Sequence, residues 1–510
     1  MHDVTNYKMV ISIADDLQRV AKGEVLHDNW SRKIYSVDSS NYTLTPLAAV
    51  HPSSEIDLEH ICQYCFLNNI PITPRGAATG LLGQCLSEGV ILDFTKHMNR
   101  ITEIEENYVV VQPGLVKGVL DKELSKKAKF FPPDPASGNY CTIGGMIANN
   151  SSGAHALGYG NTIDFLQEVN VVYSDGSTGF ASYKKNKFDG RMSKLLKILS
   201  PNIDLIQEKY PKVTKNSCGY RLDAVINTQR FSPQKVFAAS EGTLGLVTSA
   251  RLKILDIPLF QYLLVLSFEN LLSAVSAVPL ILEFCPVALE MLDHTAFSSI
   301  TSATAQYSNY TGCLLFLEFA GDNLNSVERK VRFCKNKLLD KCNILEVASD
   351  EVSRTKIWAA RKNALNYVLK LTVGSRKAMG LIEDTVINPN LLSYYTRYLL
   401  QMYLKYRMDY VIYGHVGNGN LHTRPFVDTN GKNQVELMKH IATQVFKTVI
   451  TLGGTITGEH GDGLARAKYI QSVYGKEIFS MFKIIKKLFD PTYIMNPGKK
   501  IVQQDKINIT

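Results

Sequence analysis

The 510 residues are 45% hydrophobic and 20% charged, the balance of an ordinary globular protein, and at roughly 150 residues per domain the length suggests about three units or two large ones. A surplus of 56 basic over 47 acidic side chains gives +9, which could attract anions or an acidic membrane surface without specifying either. Nine scattered cysteines are too many by one for a fully paired disulfide framework, and the opening MHDVTNYKMV lacks the apolar run of a secretory signal, so a reducing, cytoplasmic setting is expected.

Residues 1–40 are polar and weakly periodic and read as a surface arm. From Pro46 the pattern becomes a strand (LAAV), a helix from Glu55 to Leu67, a strand (IPITP), a glycine loop and a strong apolar strand (GVILDF). This α+β rhythm runs to AASEGTLGLVTSARLKIL near residue 250, and after Pro258 longer apolar strands and helices follow, such as TGCLLFLEFA and NLLSYYTRYLLQMYLKY. The most apolar window, YLLVLSFENLLSAVSAVPLILEF, is broken by Glu269, Asn270, Pro279 and Glu283, and predicts a strand, a turn and an amphipathic helix rather than a membrane span. The tail from Thr457 returns to glycine loops and a basic helix. The expected division is therefore 1–40, 41–256, 257–456 and 457–510.

Two segments are built to approach a ligand with their backbone. In PRGAATGLLGQ, residues 74 to 84, Gly76, Gly80 and Gly83 permit positive φ and let N–H groups point at an anion, although a glycine-rich link between two strands reads equally well. The loop is neither a Walker motif nor a dinucleotide fingerprint. In FPPDPASGNYCTIGGMIANNSSGAHALGYGNT, residues 131 to 162, Thr142, Gly144, Gly145, Asn149, Ser151, Ser152 and Gly153 could surround a large, flat, phosphate-bearing molecule. Two such loops in series are more specific than one.

A third feature is GHVGNGNLH, where Gly417 and Gly419 turn the chain so that His415 and His422 can converge. Alone the pair reads as a turn or as half a metal site, since a catalytic metal needs a third protein ligand. TGEHGDG presents Glu459 beside His460, and neighbours on a turn divide the work naturally, Glu459 toward a metal and His460 toward a substrate. Arg361 in IWAARKNAL could bind a carboxylate bidentately or sit in a helix salt bridge, and Arg376 and Lys377 are further candidates for a second carboxylate or polar tail. Cys62 and Cys65 have metal-motif spacing but lie on a helical pattern that predicts burial, no four-cysteine cluster signature occurs, and KIIKKLF reads as a solvated helix face, with membrane docking as the lesser alternative.

Taken in order, PRGAATGLLGQ, PPDPASGNYCTIGGMIANNSSG, SEGTLGLVT and FDPTYIMNPGKK resemble the flavin-binding half of the vanillyl-alcohol oxidase and p-cresol methylhydroxylase (PCMH) superfamily. Within it the chain is similar, from Pro46 to Lys499, to FAD-linked D-2-hydroxyacid dehydrogenases, the group of D-lactate dehydrogenase, the glycolate oxidase flavoprotein subunit and D-2-hydroxyglutarate dehydrogenase. The resemblance implies an α+β protein: a two-subdomain PCMH-type FAD-binding domain, a cap domain with an antiparallel sheet, and a C-terminal segment returning to the flavin. It implies FAD contacts from Pro74, Arg75, Gly76, Ala77, Ala78, Thr79, Gly80, Gly83 and Gln84, and from Pro135, Ser137, Thr142, Gly144, Gly145, Asn149, Ser152 and Gly153, with the pyrophosphate and ribityl chain at 76–83 and 142–145. Glu241, Gly242, Gly245 and Val247 would line the adenine side, and Asn496 would approach the flavin ring. Some relatives attach FAD through a histidine in the first loop; none is present here, so non-covalent FAD is expected.

By the same resemblance His415, His422 and Glu459 hold a divalent metal, zinc or manganese, His460 is the base, Asn420 orients the substrate and Arg361 takes its carboxylate. The implied reaction oxidises D-lactate, D-2-hydroxyglutarate or glycolate to the 2-oxo acid, with the hydroxyl proton taken by a base and hydride passed to FAD. Electrons would leave to a quinone, a cytochrome or a separate iron–sulfur or flavoprotein subunit. The expected protein is a homodimer without nucleic-acid partners, cytoplasmic with peripheral contact at the inner face of the membrane. The alternatives are an alkylglycerone-phosphate synthase-like transferase of the same superfamily and a non-catalytic FAD-binding subunit of an oxidase complex.

Overall fold

The computed structural model describes residues 12–184, 187–297, 312–368, 372–373, 376–378, 380, 382–428 and 432–502. Near the amino end, strands Ala48–His51, Val90–Asp93 and Ile72–Arg75 run parallel, with Glu24–Leu26 added antiparallel at one edge. Sequences such as AAVH and VILD are buried along their whole length, which is why they read as continuous apolar runs rather than alternating ones. Helix Glu55–Leu67 starts at Ser54, whose hydroxyl accepts the Asp57 N–H at 3.2 Å, and buries Leu58, Ile61, Cys62 and Cys65. Burial pushes the Cys65 thiol up to about 12, so this cysteine pair is core, as its helical pattern predicts.

The next unit is an antiparallel sheet in the order Ile101–Ile104, Tyr108–Val111, Leu246–Lys253, Leu166–Val172 and Thr178–Ser182. The glycine-rich segment and short helix Ile143–Asn149 lie between its strands in sequence. Beyond residue 257 an antiparallel cap sheet runs Asn343–Ala348, Phe260–Phe268, Cys313–Gly321, Ala288–Asp293, Tyr410–His415, Asn420–Asp428, Arg376–Ala378 and Thr372–Val373, with Thr385–Val386 also paired to Asn420–Asp428. The most apolar window forms the expected strand, Phe260–Phe268, and a helix, Leu271–Leu282, joined by Asn270, whose side chain caps the helix through the Ser273 N–H at 2.9 Å. Among the described residues no helix is long and apolar enough to cross a membrane.

Helix Ile470–Phe489 comes back to pack on Gly190–Leu199 and Ile203–Lys209 in the first half of the chain. Its basic run is not a uniformly solvated face. Lys483 and Lys487 are exposed, but Lys486 is buried and donates to Asp490 at 2.6 Å, to the Thr243 carbonyl at 2.7 Å and to the Met495 carbonyl at 2.8 Å. After the helix, Met495 forms a parallel bridge to Ile72, and the Asn496 N–H donates to the Ile72 carbonyl at 2.7 Å, so the tail becomes part of the amino-terminal sheet.

Candidate active site

A cavity of about 880 Å³ runs from the glycine loops to the histidines, within the range of small-molecule and cofactor sites. Of the expected FAD contacts, all but Gly83 and Asn496 line it. The loops touch so closely that side chains are excluded: a Cβ on Gly76 would lie 2.1 Å from Thr142 Oγ1, one on Gly144 2.6 Å from Pro113 Cβ, and one on Gly242, at φ 67°, 2.3 Å from Pro74 Cγ. The result is a long groove walled by bare backbone and small polar side chains, a fit for a phosphate-bearing cofactor such as FAD.

At the other end, the hairpin of Tyr410–His415 and Asn420–Asp428 pairs His415 with Asn420 and Tyr413 with His422. His415 and His422 are therefore diagonal neighbours on one face, and their ring centroids stand 5.2 Å apart. Gly419 makes the turn at φ 71°, where a Cβ would meet the Ile387 carbonyl oxygen at 1.8 Å. Facing the hairpin, the TGEHG turn is wrapped around Asp384, whose carboxylate accepts N–H groups from Gly458 at 2.9 Å, Glu459 at 3.1 Å and His460 at 2.9 Å.

This wrapping turns Glu459 and His460 into the cavity. Glu459 Oε1 lies 2.8 Å from His415 Nε2, 3.6 Å from His422 Nε2 and 3.7 Å from His460 Nε2. One carboxylate oxygen facing three imidazole nitrogens, two of them beyond hydrogen-bond reach, is a donor set that a first-row divalent ion would satisfy. His422 Nδ1 has no hydrogen-bond partner among the described residues. Burial lowers the pKa of His422 to about 4, leaving it the neutral imidazole that a metal requires. Asp384, His422, Glu459 and His460 also bring one donor atom each within 4.8 Å of one another. Both Asp384 oxygens already accept backbone N–H groups, however, so Asp384 organises the turn and His415 is the better third ligand.

Behind these groups stand buried charges. Glu290, fully buried, places Oε1 2.7 Å from His415 Nδ1 and Oε2 2.7 Å from Arg361 Nη2. Burial opposes its charge, but His415 and Arg361 outweigh that and hold its pKa down at about 2. Glu383 does the same for His460, with Oε1 3.1 Å from His460 Nδ1 and Oε2 2.7 Å from Arg424 Nη2. Burial opposes the charge on His460 too, yet Asp384 and Glu383 raise its pKa to about 9. Glu459 Oε2 accepts from Ser152 Oγ at 2.7 Å and from Lys215 Nζ at 2.8 Å.

Known families and relatives bear on this arrangement. An FAD binding domain matches residues 46–179, and the C-terminal domain of FAD linked oxidases matches residues 257–500. Glycolate oxidase subunit GlcD of Bacillus subtilis (strain 168) is 30% identical over 499 residues, covering 96% of this chain and 96% of that protein. The chain belongs to the FAD-linked D-2-hydroxyacid dehydrogenase family. D-2-hydroxyglutarate dehydrogenase of Escherichia coli (strain K12) is 30% identical over 96% of the chain, which spans only 52% of that protein, about half its length. D-lactate dehydrogenase of Anaerostipes hadrus is 26% identical over 94% of both. The solved p-cresol methylhydroxylase superposes with a TM-score of 0.70 at 14% identity over 97% of both chains, and alkyldihydroxyacetonephosphate synthase with 0.64 at 18% over 93% of this chain and 83% of that one. These two share the fold.

In this FAD-linked dehydrogenase family member, several expected residues are used differently. Asn420 does not line the cavity; its amide donates to Asp384 Oδ1 and to the Thr385 carbonyl, both at 3.2 Å, so it braces the Asp384 turn instead of orienting a substrate. Asn496 likewise donates to the carbonyls of Gln84 at 2.9 Å and Glu241 at 2.6 Å, tying the two loops from behind rather than approaching the ring. Gly83, at φ 77°, packs against Leu464. Arg75 sends its guanidinium to the carbonyls of Tyr35 and Val37, and the Glu241 carboxylate accepts from the N–H groups of Asp462 and Gly463. Arg376 is paired with Asp409 on the surface, Lys377 is exposed, and neither lines the cavity.

Lys215, Glu290, Glu383 and Asp384 are not marked by any motif, whereas a cluster at the cavity wall joins Asp134 and His155 of the 131–162 segment and Trp358 of IWAARKNAL to Glu318, which no motif marks. There His155 Nδ1 lies 2.6 Å from Asp134 and Nε2 3.3 Å from Glu318, while Trp358 Nε1 donates to the other Glu318 oxygen at 2.6 Å. Glu290 in ALEML and Glu318 in LLFLEF share one recognisable signal, a lone carboxylate inside an apolar strand, which must have a buried partner.

Proposed function

We propose that the chain is a flavin- and metal-dependent dehydrogenase that oxidises a D-2-hydroxy acid to the 2-oxo acid. The observation that carries this reading is Glu459 Oε1 set among the Nε2 atoms of His415, His422 and His460 at one end of a glycine-walled cavity. FAD, held without a covalent bond along residues 74–84 and 135–153, supplies a two-electron acceptor when bound. His415, His422 and Glu459 would hold a zinc or manganese ion, which would supply Lewis acidity when bound.

The protein's own groups do the rest. Arg361 lines the cavity with Nη2 held by Glu290 at 2.7 Å, which fixes its guanidinium where a substrate carboxylate could pair with it. His460 receives the hydroxyl proton at Nε2 while Glu383 fixes Nδ1 as the protonated nitrogen. A cation on His415, His422 and Glu459 would oppose the rise in the His460 pKa, the direction a base requires. Electrons then leave to a quinone, a cytochrome or a partner protein, and the working unit is a cytoplasmic homodimer that touches the membrane at most peripherally.

The test is anaerobic flavin reduction against a panel of D- and L-2-hydroxy acids, before and after chelation. Bleaching with a D-acid such as D-lactate or D-2-hydroxyglutarate, lost on chelation and restored by zinc or manganese, is the expected result. A flavin that stays oxidised with every acid while metal is present would sink the proposal, and tight lipid binding without flavin reduction would favour the transferase.

A further inference from the structure

We infer that Lys215 is a built-in counter-cation of the metal site: it pins one oxygen of Glu459, leaves the other alone to face the imidazoles, and its charge weakens the grip on the ion. The inference rests on the metal reading of His415, His422 and Glu459 given above. Lys215 is completely buried, and among the described residues its ammonium donates to the Gly153 carbonyl at 2.9 Å and to Glu459 Oε2 at 2.8 Å. Ser152 Oγ donates to the same oxygen at 2.7 Å. With Oε2 committed to two donors, Glu459 can offer an ion only Oε1.

The lysine cannot retract, because its segment is tied to the turn that carries Glu459. The Ser217 N–H donates to the Thr457 carbonyl at 2.9 Å, Ser217 Oγ to the Gly458 carbonyl at 2.9 Å, and Thr455 Oγ1 to Asn216 Oδ1 at 3.0 Å. Without an ion, the ammonium satisfies a carboxylate that would otherwise be buried with His415 as its nearest charge partner, and so holds the site assembled. With an ion, two positive charges share one carboxylate through a medium far less screening than water, and they repel. Removing the lysine charge should therefore tighten metal binding. A conventional outer-shell partner behaves in the opposite way, its loss weakening metal affinity by about 10- to 100-fold.

The experiment measures Zn²⁺ and Mn²⁺ affinity by chelator competition on the full FAD-loaded chain, comparing wild type with Lys215→Gln, Lys215→Arg and Ser152→Ala. Lys215→Gln keeps hydrogen-bonding capacity without charge and should bind the ions about tenfold more tightly, while its metal-free form melts at lower temperature. Lys215→Arg, which keeps the charge, should stay near wild type. Unchanged or weaker affinity in Lys215→Gln overturns the inference, as does an equal tightening in Ser152→Ala, which loses a hydrogen bond but no charge. If Lys215→Gln does not fold, Lys215→Met at the same position, screened by the rise in melting temperature on adding Mn²⁺, decides the matter instead: a rise larger than wild type supports the inference and an equal or smaller one overturns it. Failure of the wild-type chain to bind either ion is a different result, since it removes the metal reading itself and this inference with it.

Discussion

Replacing Glu290 by glutamine tests whether the buried charges behind the histidines tune the site or merely fill space. A carboxylate can only accept, so Glu290 requires a proton on His415 Nδ1, and an ion would have to take Nε2, which without it shares a proton with Glu459 at 2.8 Å. Glutamine can instead donate to Nδ1, which moves the proton to Nε2 and blocks that lone pair. The substitution also leaves Arg361, 6% exposed, without its counter-charge. At 2.7 Å and an effective dielectric constant of about 20, that pair is worth roughly 6 kcal/mol before desolvation is subtracted, and breaking a buried pair costs about 3–5 kcal/mol net. We expect Glu290→Gln to lose about 3 kcal/mol in urea unfolding and about 10- to 100-fold in Zn²⁺ affinity by chelator competition. Zn²⁺ affinity within about twofold of wild type would falsify the claim that Glu290 sets the His415 tautomer.

Two other outcomes follow from the packing. Burial opposes the charge on His155, but Asp134 and Glu318 outweigh it and raise its pKa well above the ordinary value. The stability this contributes is complete below about pH 6.5, the pKa of a free histidine, and is lost as pH rises through the folded value. His155→Gln should therefore cost about 2 kcal/mol of unfolding free energy at about pH 6 and less in alkaline buffer, so a pH-independent difference would contradict the assignment. Gly144→Ala drives a methyl group to within 2.6 Å of Pro113 Cβ and 2.9 Å of its carbonyl oxygen. An overpacking cost of about 1–3 kcal/mol at the cavity wall should weaken FAD binding by about tenfold or more, read as a lower flavin-to-protein absorbance ratio after gel filtration.

The parts of the site legible in the sequence are those whose chemistry is local. Gly76, Gly144 and Gly242 advertise themselves because backbone contact needs a missing Cβ, and His415 and His422 because a tight hairpin brings a short spacing onto one face. Glu459 and His460 are legible because they share one turn. The charges behind them lie far away in the chain: Lys215 is 244 residues from Glu459, and Glu290 is 125 residues from His415. Little beside Lys215 marks it, and the apolar strand around Glu290 signals a buried partner without naming it, since that partner is supplied by the fold. The same limit explains Asn420 and Asn496. Asn420 stands between two cavity histidines and Asn496 in the returning tail, but the Nδ2 groups of both donate to Asp384 or to carbonyls behind the cavity wall.

The returning tail also orders events during synthesis. Asn496 is linked to Thr73 across 423 residues, and Lys500 reaches Asp462 at 2.7 Å and the Ser217 carbonyl at 2.9 Å. Because a chain leaves the ribosome amino end first, the first glycine loop is made early yet lacks its brace until the whole cap and the helix after it have been made. The groove is thereby complete only once the Lys499 and Lys500 region has been made, and a nascent chain stalled inside the cap would carry a half-built groove.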